Sequence, residues 1–175
     1  MINNKGIELI KHFESLHDGD LTLIGLQPKM CPAGIWTAGY GHALRTTDNT
    51  RFLKGAVDKA EAYRQCTEMF HLASESDAEL LLHTDLQKFS NNVLDKTKGI
   101  TLTDNQLAAL VSFNYNCGDG NFAASTLLKK VNMGKFKEAS SEFLKWDKAT
   151  VNGVKKVLHG LTLRRIAESS LFMEV

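Results

Sequence analysis

The chain has 175 residues, the size of one domain or of two small lobes sharing a core, and at that length a fold removes roughly 70% of its extended surface from water without help from a disulfide or a metal. Hydrophobic residues make up 43% and charged residues 23%, which sets aside the disordered, collagenous and coiled-coil classes. Lysine and arginine number 21 against 20 acidic residues, a formal charge of +1, and that balance excludes a general nucleic-acid binder.

The opening stretch MINNKGIELIKHFE carries Lys5, Glu8, Lys11 and Glu14, so no apolar run of export-signal length follows a basic start. No run elsewhere is long enough to cross a bilayer. Cys31, Cys66 and Cys117 are odd in number, widely spaced and free of a C-x-x-C motif, which argues against a disulfide framework or a zinc site. The six histidines lack ligand spacing; His12 and His17 are not a helical i, i+4 pair. No metal or cofactor is expected, and the reading is a soluble, reduced, cytoplasmic protein without stable membrane insertion.

In chain order, Ile7, Ile10 and Phe13 predict a short helix that ends near Glu14. From Ser15 to about Thr50 the texture changes to glycines at 19, 25, 34, 39 and 41 between the β-prone pieces Leu21–Ile24 and Ile35–Ala38, a small hairpin region. Ala56, Ala60, Tyr63, Thr67 and Phe70 then lie at helical spacing. Ser76 with Glu79 has capping-box spacing ahead of Leu82, Leu86, Phe89 and Val93. Thr103 with Gln106 forms a second such box before Leu107, Leu110 and Val111, with Gly118 as the stop. Phe136 to Leu144 and Leu163 to Leu171 predict two further helices. The class is α+β: one domain, 1–175, with a sheet-containing lobe at about 15–75 and a helical lobe at about 76–175 plus the first helix. Two unequal lobes leave a cleft, the usual place for a ligand.

The least average segment is CPAGIWTAGYGH, residues 31–42. Its glycines at 39 and 41 allow backbone to approach another group closely; the alternative is a tight hairpin with an aromatic plug. Glu14 is the second point of interest. A carboxyl packed against apolar groups holds its proton and can serve as a general acid, whereas an ordinary helix-end carboxylate is solvated.

The order GIELIKHFE, then CPAGIWTAGYGH, LTDNQLAALVSFNYNCGDGNF, GKFKEASSEFLKW and GLTLRRIAESSLF resembles the phage-type lysozymes, the bacteriophage endolysins of glycoside hydrolase family 24, across most of the chain. Their pattern is a Glu on the first helix, then Asp or Cys, then Thr after five further residues, followed by GYGH. The resemblance implies that Glu14 is the catalytic acid, with Cys31 and Thr37 at the other two positions. It further implies hydrolysis of the β-1,4 bond between N-acetylmuramic acid and N-acetylglucosamine in peptidoglycan. Glu14 would protonate the departing oxygen, while Thr37 and Cys31 seat a water on the other side of the sugar. This is an inverting arrangement, with groups about 6.5–9.5 Å apart. A thiol is mostly neutral, so Cys31 serves as a hydrogen-bond partner of water or, in surroundings that favour it, as a thiolate.

Sixteen residues separate Glu14 from Cys31, where the family pattern has eight. The extra stretch reads as an enlarged hairpin over 18–30, and Asp18 and Asp20 become rivals for the second position; Cys31 alone keeps the five-residue spacing to Thr37. The segment 46–74 is also long, adding a helix. His42 is a packed histidine or a base, and the resemblance implies that it pairs with Asp85. By the same resemblance Ser112, Tyr115 and Asn116 lie on a helix facing the substrate, Asn116 toward sugar amide groups and Tyr115 as a ring wall; a capped helix end is the other reading. Arg164 and Arg165 are solvated or reach anionic peptide stems. The expected partner is peptidoglycan polysaccharide, attacked by a monomer that accumulates in the host cytoplasm until a separate protein permeabilises the membrane, for cell lysis. Competing readings are a lytic transglycosylase, a cysteine amidase built on Cys31 with His42, His83 or His159, and a wall-binding module without activity.

Overall fold

The computed structural model describes residues 2–97, 99–151 and 153–174. Helix α1 (Asn4–Glu14) is followed by β1 (Lys29–Met30), β2 (Trp36–Ala38) and β3 (His42–Ala43). Then come α2 (Lys59–Arg64), α3 (Glu75–Lys96), α4 (Asp104–Cys117), α5 (Asp119–Ala124), α6 (Thr126–Asn132) and α7 (Phe136–Phe143), and finally β4 (Lys148–Val151), β5 (Val154–Val157) and α8 (His159–Met173). This is the α+β class expected. The chain forms two compact units, one of Glu14–Asp85 and one of Met1–Phe13 with Leu86–Val175.

In the unit 14–85 the three short strands pair antiparallel in the order β1-β2-β3, with Lys29 opposite Thr37 and Ala38 opposite His42. Its core is Trp36, Ala38, Leu44, Leu53, Ala62, Cys66 and Leu72. The buried Trp36 indole donates to the Gly55 carbonyl at 2.8 Å, as a buried ring N–H must. Cys66 is sealed in this core, and burial pushes its thiol up to about 12.

The β-prone piece Leu21–Ile24 is not a strand. It is a run of turns and bends, with Leu21 85% and Ile24 98% exposed, so no apolar face holds it flat. Local hydrogen bonding wins instead: Asp20 accepts from the Thr22 amide at 3.1 Å and its hydroxyl at 2.6 Å. The enlarged hairpin is therefore a loop, closed where the Gly19 amide donates to the Gln27 carbonyl at 3.0 Å. The cap of α3 also sits two residues earlier than expected. Ser74 and Asp77 form it, the Ser74 amide donating to the Asp77 carboxylate at 2.8 Å; the sequence offers two overlapping Ser-x-x-acid pairs, and spacing does not choose between them.

The other unit is built around α4, whose residues Ala108 to Asn114 are all buried. Its start is the capping box foreseen at Thr103 and Gln106, and Gly118 caps its end. Phe113 gathers Phe122, Phe143 and Trp146 edge-on at 5.3–6.4 Å. Helices α5 and α6 and the β4–β5 hairpin were not foreseen: each is too short for a period to show.

Arg164 and Arg165 are not surface residues. They are 2% and 0% exposed and flank Glu168, whose Oε1 accepts from Arg164 Nε at 3.1 Å and from the Ser112 hydroxyl at 2.7 Å, and whose Oε2 forms an ion pair with an Arg165 terminal nitrogen at 3.2 Å. Helical spacing of i, i+3 and i+4 puts these charges on one side of α8, where α4 covers them. Burial drives the Glu168 carboxyl upward against the pull of the two guanidinium groups. A buried ion cluster that loses one member leaves the rest uncompensated. Glu168→Ala is therefore expected to cost about 3–5 kcal/mol in urea unfolding; a loss below 1 kcal/mol would show that the two arginines do not depend on it.

Candidate active site

Glu14 is the last residue of α1, and Ser15 turns the chain sharply there with φ 60°. Two residues on, the His17 amide donates to the Gly39 carbonyl at 2.8 Å, tying the segment after the helix to the end of β2. The half-buried Glu14 carboxyl then lies over the turn between β2 and β3. A Cβ on Gly41 would sit 2.9 Å from Glu14 Oε2, at a backbone φ of +88°. Glycine at 41 thus satisfies two demands at once, a left-handed backbone and room for a carboxyl.

Thr37, in the middle of β2, is 7% exposed. Its Oγ1 lies 2.9 Å from the Lys29 carbonyl across the ladder and 2.9 Å from His17 Nδ1. Cys31 follows β1 by one residue, its amide donating to the Ile35 carbonyl at 2.8 Å and its carbonyl accepting from Gly34 at 2.8 Å to close the turn into β2. The unit thus gathers Glu14, His17, Thr37 and Gly41 around the ends of β2. Asp18 and Asp20, the rivals for the second position, are engaged in the loop. Asp18 accepts from the amides of Asp20 and Gln27 at 3.3 Å, and the hydrogen bonds from Thr22 hold the Asp20 carboxyl below its ordinary value.

His42 Nδ1 and Asp85 Oδ2 are 2.6 Å apart, both within the unit 14–85, and Phe70 packs edge-on against the His42 ring at 5.0 Å. Tyr40 adds a second link to α3, its hydroxyl donating to Glu75 at 2.5 Å.

The helix α4 residues separate. Ser112 is fully buried, its hydroxyl spent on Glu168, so it is corrected here from substrate contact to core: it sits on the side of α4 that meets α8. Tyr115 is half-buried and lies edge-on to Phe89 at 5.0 Å. Asn116 is exposed, and its side-chain carbonyl accepts from Arg165 at 2.6 Å. The sequence reading passed over His17, because nothing in a lone histidine's spacing shows a contact made twenty residues away. The one signal available was its place three residues after Glu14, on the same side of the turn.

Comparison with known proteins places the chain in a family. The Phage lysozyme model matches residues 23–168, starting within the long loop that follows Glu14. Full-length relatives extend past that start. An endolysin of Acyrthosiphon pisum secondary endosymbiont phage 1 is 37% identical over 98% of this chain and 97% of its own length. An endolysin of Bacillus phage B103 is 36% identical over 98% of this chain and 54% of its own length, so the chain spans about half of that relative. Among solved structures, the muramidase domain of SpmX from Asticaccaulis excentricus is similar with a TM-score of 0.75 at 33% identity, covering 100% of this chain and 99% of that one.

The geometry at residue 41 is directly testable. Gly41→Ala combines an unfavourable φ with a clash against the Glu14 carboxyl, and should lower unfolding free energy by about 1–3 kcal/mol. Gly34→Ala serves as the control, since φ there is +76° but nothing lies within 4 Å of the added Cβ; the excess loss at 41 over 34 measures the clash.

Proposed function

The chain belongs to the phage lysozyme family, and we propose that it hydrolyses the β-1,4 bond between N-acetylmuramic acid and N-acetylglucosamine in peptidoglycan, with inversion, for host cell lysis. As an endolysin-type cell-wall hydrolase it needs an acid for the leaving oxygen and an ordered water. The observation that carries the proposal is the close seating of Glu14 against Gly41 beside β2, whose Thr37 hydroxyl is held by two partners.

In this mechanism Glu14 protonates the glycosidic oxygen as the bond to the anomeric carbon breaks. Thr37, with Cys31 as a further hydrogen-bond partner, orients the water that attacks that carbon from the other side. Thr37 Oγ1 is held in place between the Lys29 carbonyl and His17 Nδ1, and fixed polar groups are what catalysis of this kind requires. The exposed Asn116 and the Tyr115 ring are the proposed sugar contacts on α4. His42 and Asp85 act structurally, holding β3 to the middle of α3. No metal or cofactor enters the scheme. Among the described residues no helix is long and apolar enough to cross a membrane; access to the wall after another protein permeabilises the membrane, and action as a monomer, complete the proposal.

Two observations disfavour the rival chemistries. Cys31 lies in a strand-ending turn rather than at a helix start, where a nucleophilic thiol gains activation. The fixed Thr37 hydroxyl has a task only if water is the attacking group, which a transglycosylase does not use. Glu14→Gln assayed on purified walls should lower turnover by about 10²–10⁴-fold, the usual share of a general acid, while wall binding persists. Wild-type products should be new reducing sugar ends, released first as the inverted anomer. A 1,6-anhydro sugar would instead assign a transglycosylase, and new amino groups an amidase.

A further inference from the structure

The muramidase scheme leaves one proton without a destination. Glu14 gives its proton to the leaving oxygen, and the attacking water must lose one at the same moment. The second position of the family pattern is filled here by the thiol of Cys31 rather than by a carboxylate. We propose that His17 is the acceptor of that proton, acting through the hydroxyl of Thr37. The proposal rests on the muramidase reading.

The geometry supports it directly. A threonine hydroxyl has a single hydrogen and two lone pairs, and Thr37 Oγ1 has two neighbours at 2.9 Å, the Lys29 carbonyl and His17 Nδ1. With the hydrogen on the Lys29 side, His17 donates from Nδ1. With the imidazole proton at Nε2, the hydroxyl instead donates to Nδ1 and its oxygen is open to a hydrogen from water. The second arrangement is a hydroxyl–imidazole pair of the kind that activates hydroxyl nucleophiles, here used to move a water proton. The His17 backbone is held by its bond to Gly39, and the ring by its contact with Thr37 Oγ1.

The charges around the ring suit the task. Burial is the largest influence and lowers the His17 pKa below its ordinary value; the Glu14 carboxylate opposes this and Lys29 reinforces it, while a hydrogen bond to the Glu14 backbone raises it. Asp18, the adjacent acid, is held by two backbone amides. The ring is accordingly neutral at neutral pH and free to take a proton.

The step balances. The water oxygen forms a bond to the anomeric carbon as the bond from that carbon to the leaving oxygen breaks, and Glu14 supplies the leaving oxygen's proton. One water proton passes to Thr37 Oγ1, and the Thr37 hydroxyl proton passes to His17 Nδ1. The enzyme is left with an imidazolium at His17 and a carboxylate at Glu14. Loss of the imidazolium proton to solvent and uptake of one by Glu14 restore both.

The test uses the full chain on purified walls, with reducing ends as the readout. His17→Asn keeps a donor for Thr37 but accepts no proton; it should fold as wild type while kcat falls about 10²–10⁴-fold and KM stays within about threefold. Protonated His17 cannot act, so wild-type kcat should fall as pH drops through the His17 pKa, and this acid limb should be missing from the residual activity of His17→Asn. Added imidazole should restore part of the rate of His17→Ala. Wild-type kcat in His17→Asn, or a loss that keeps the acid limb and shows no imidazole rescue, overturns the proposal. Failure of the muramidase reading itself would appear separately, as wild-type products without new reducing ends.

Discussion

The Glu14 carboxyl occupies the space that a side chain on residue 41 would fill. A Cβ at residue 41 would meet the Glu14 carboxyl at 2.9 Å and push it aside, and the backbone φ of +88° there favours glycine as well. Around that carboxyl, Thr37 lies on the strand leading into the turn, His17 on the segment leaving the helix and His42 on the strand leading out.

The four residues of Gly-Tyr-Gly-His divide this labour. Gly39 packs against Ala78, where an added Cβ would come within 3.3 Å of the Ala78 methyl. Tyr40 reaches Glu75, Gly41 makes room for Glu14, and His42 meets Asp85. Glu75, Ala78, Leu82 and Asp85 recur at i, i+3, i+7 and i+10, which is one face of α3. A β-turn is thus fastened along ten residues of helix by alternate polar and small contacts, while Leu82 is buried on the same face. The sheet of three short strands borrows the rigidity of the helix.

What the sequence made legible follows from how local each signal is. The Thr103–Gln106 box and the Gly118 stop needed only neighbours within one turn, and both stand in the structure. The spacing from Cys31 to Thr37 was legible because those residues form the turn that joins β1 to β2. Signals that depended on distant partners were read wrongly. Two adjacent arginines look solvated until Glu168 and Ser112 are seen to enclose them, and Ser112 looked like a ligand contact because a helix period does not say which neighbour covers which face. Leu21–Ile24 has strand composition but no partner strand, and β propensity expresses packing on a sheet more than any preference of the chain itself. His17 makes its decisive contact across twenty residues, so no local rule could reveal it.

The long loop after Glu14 would be expected to disturb the very residues it separates, and the reason it does not lies in its two anchors. The chain leaves the sheet at His17, bridged to Gly39, and returns at Lys29, paired with Thr37. One anchor is within β2 and the other on the residue that follows it, two residues apart. Whatever lies between them is a closed excursion, and the Gly19–Gln27 bond closes most of it a second time. Doubling a flexible loop costs only about 0.6 kcal/mol in closure entropy, small beside the contacts at either anchor. Spacing along the chain between Glu14 and Cys31 is therefore free to change, while the five residues between Cys31 and Thr37 are not: they form the turn that sets the register of β1 on β2, and a one-residue change there would turn the Thr37 hydroxyl to the other face of the sheet.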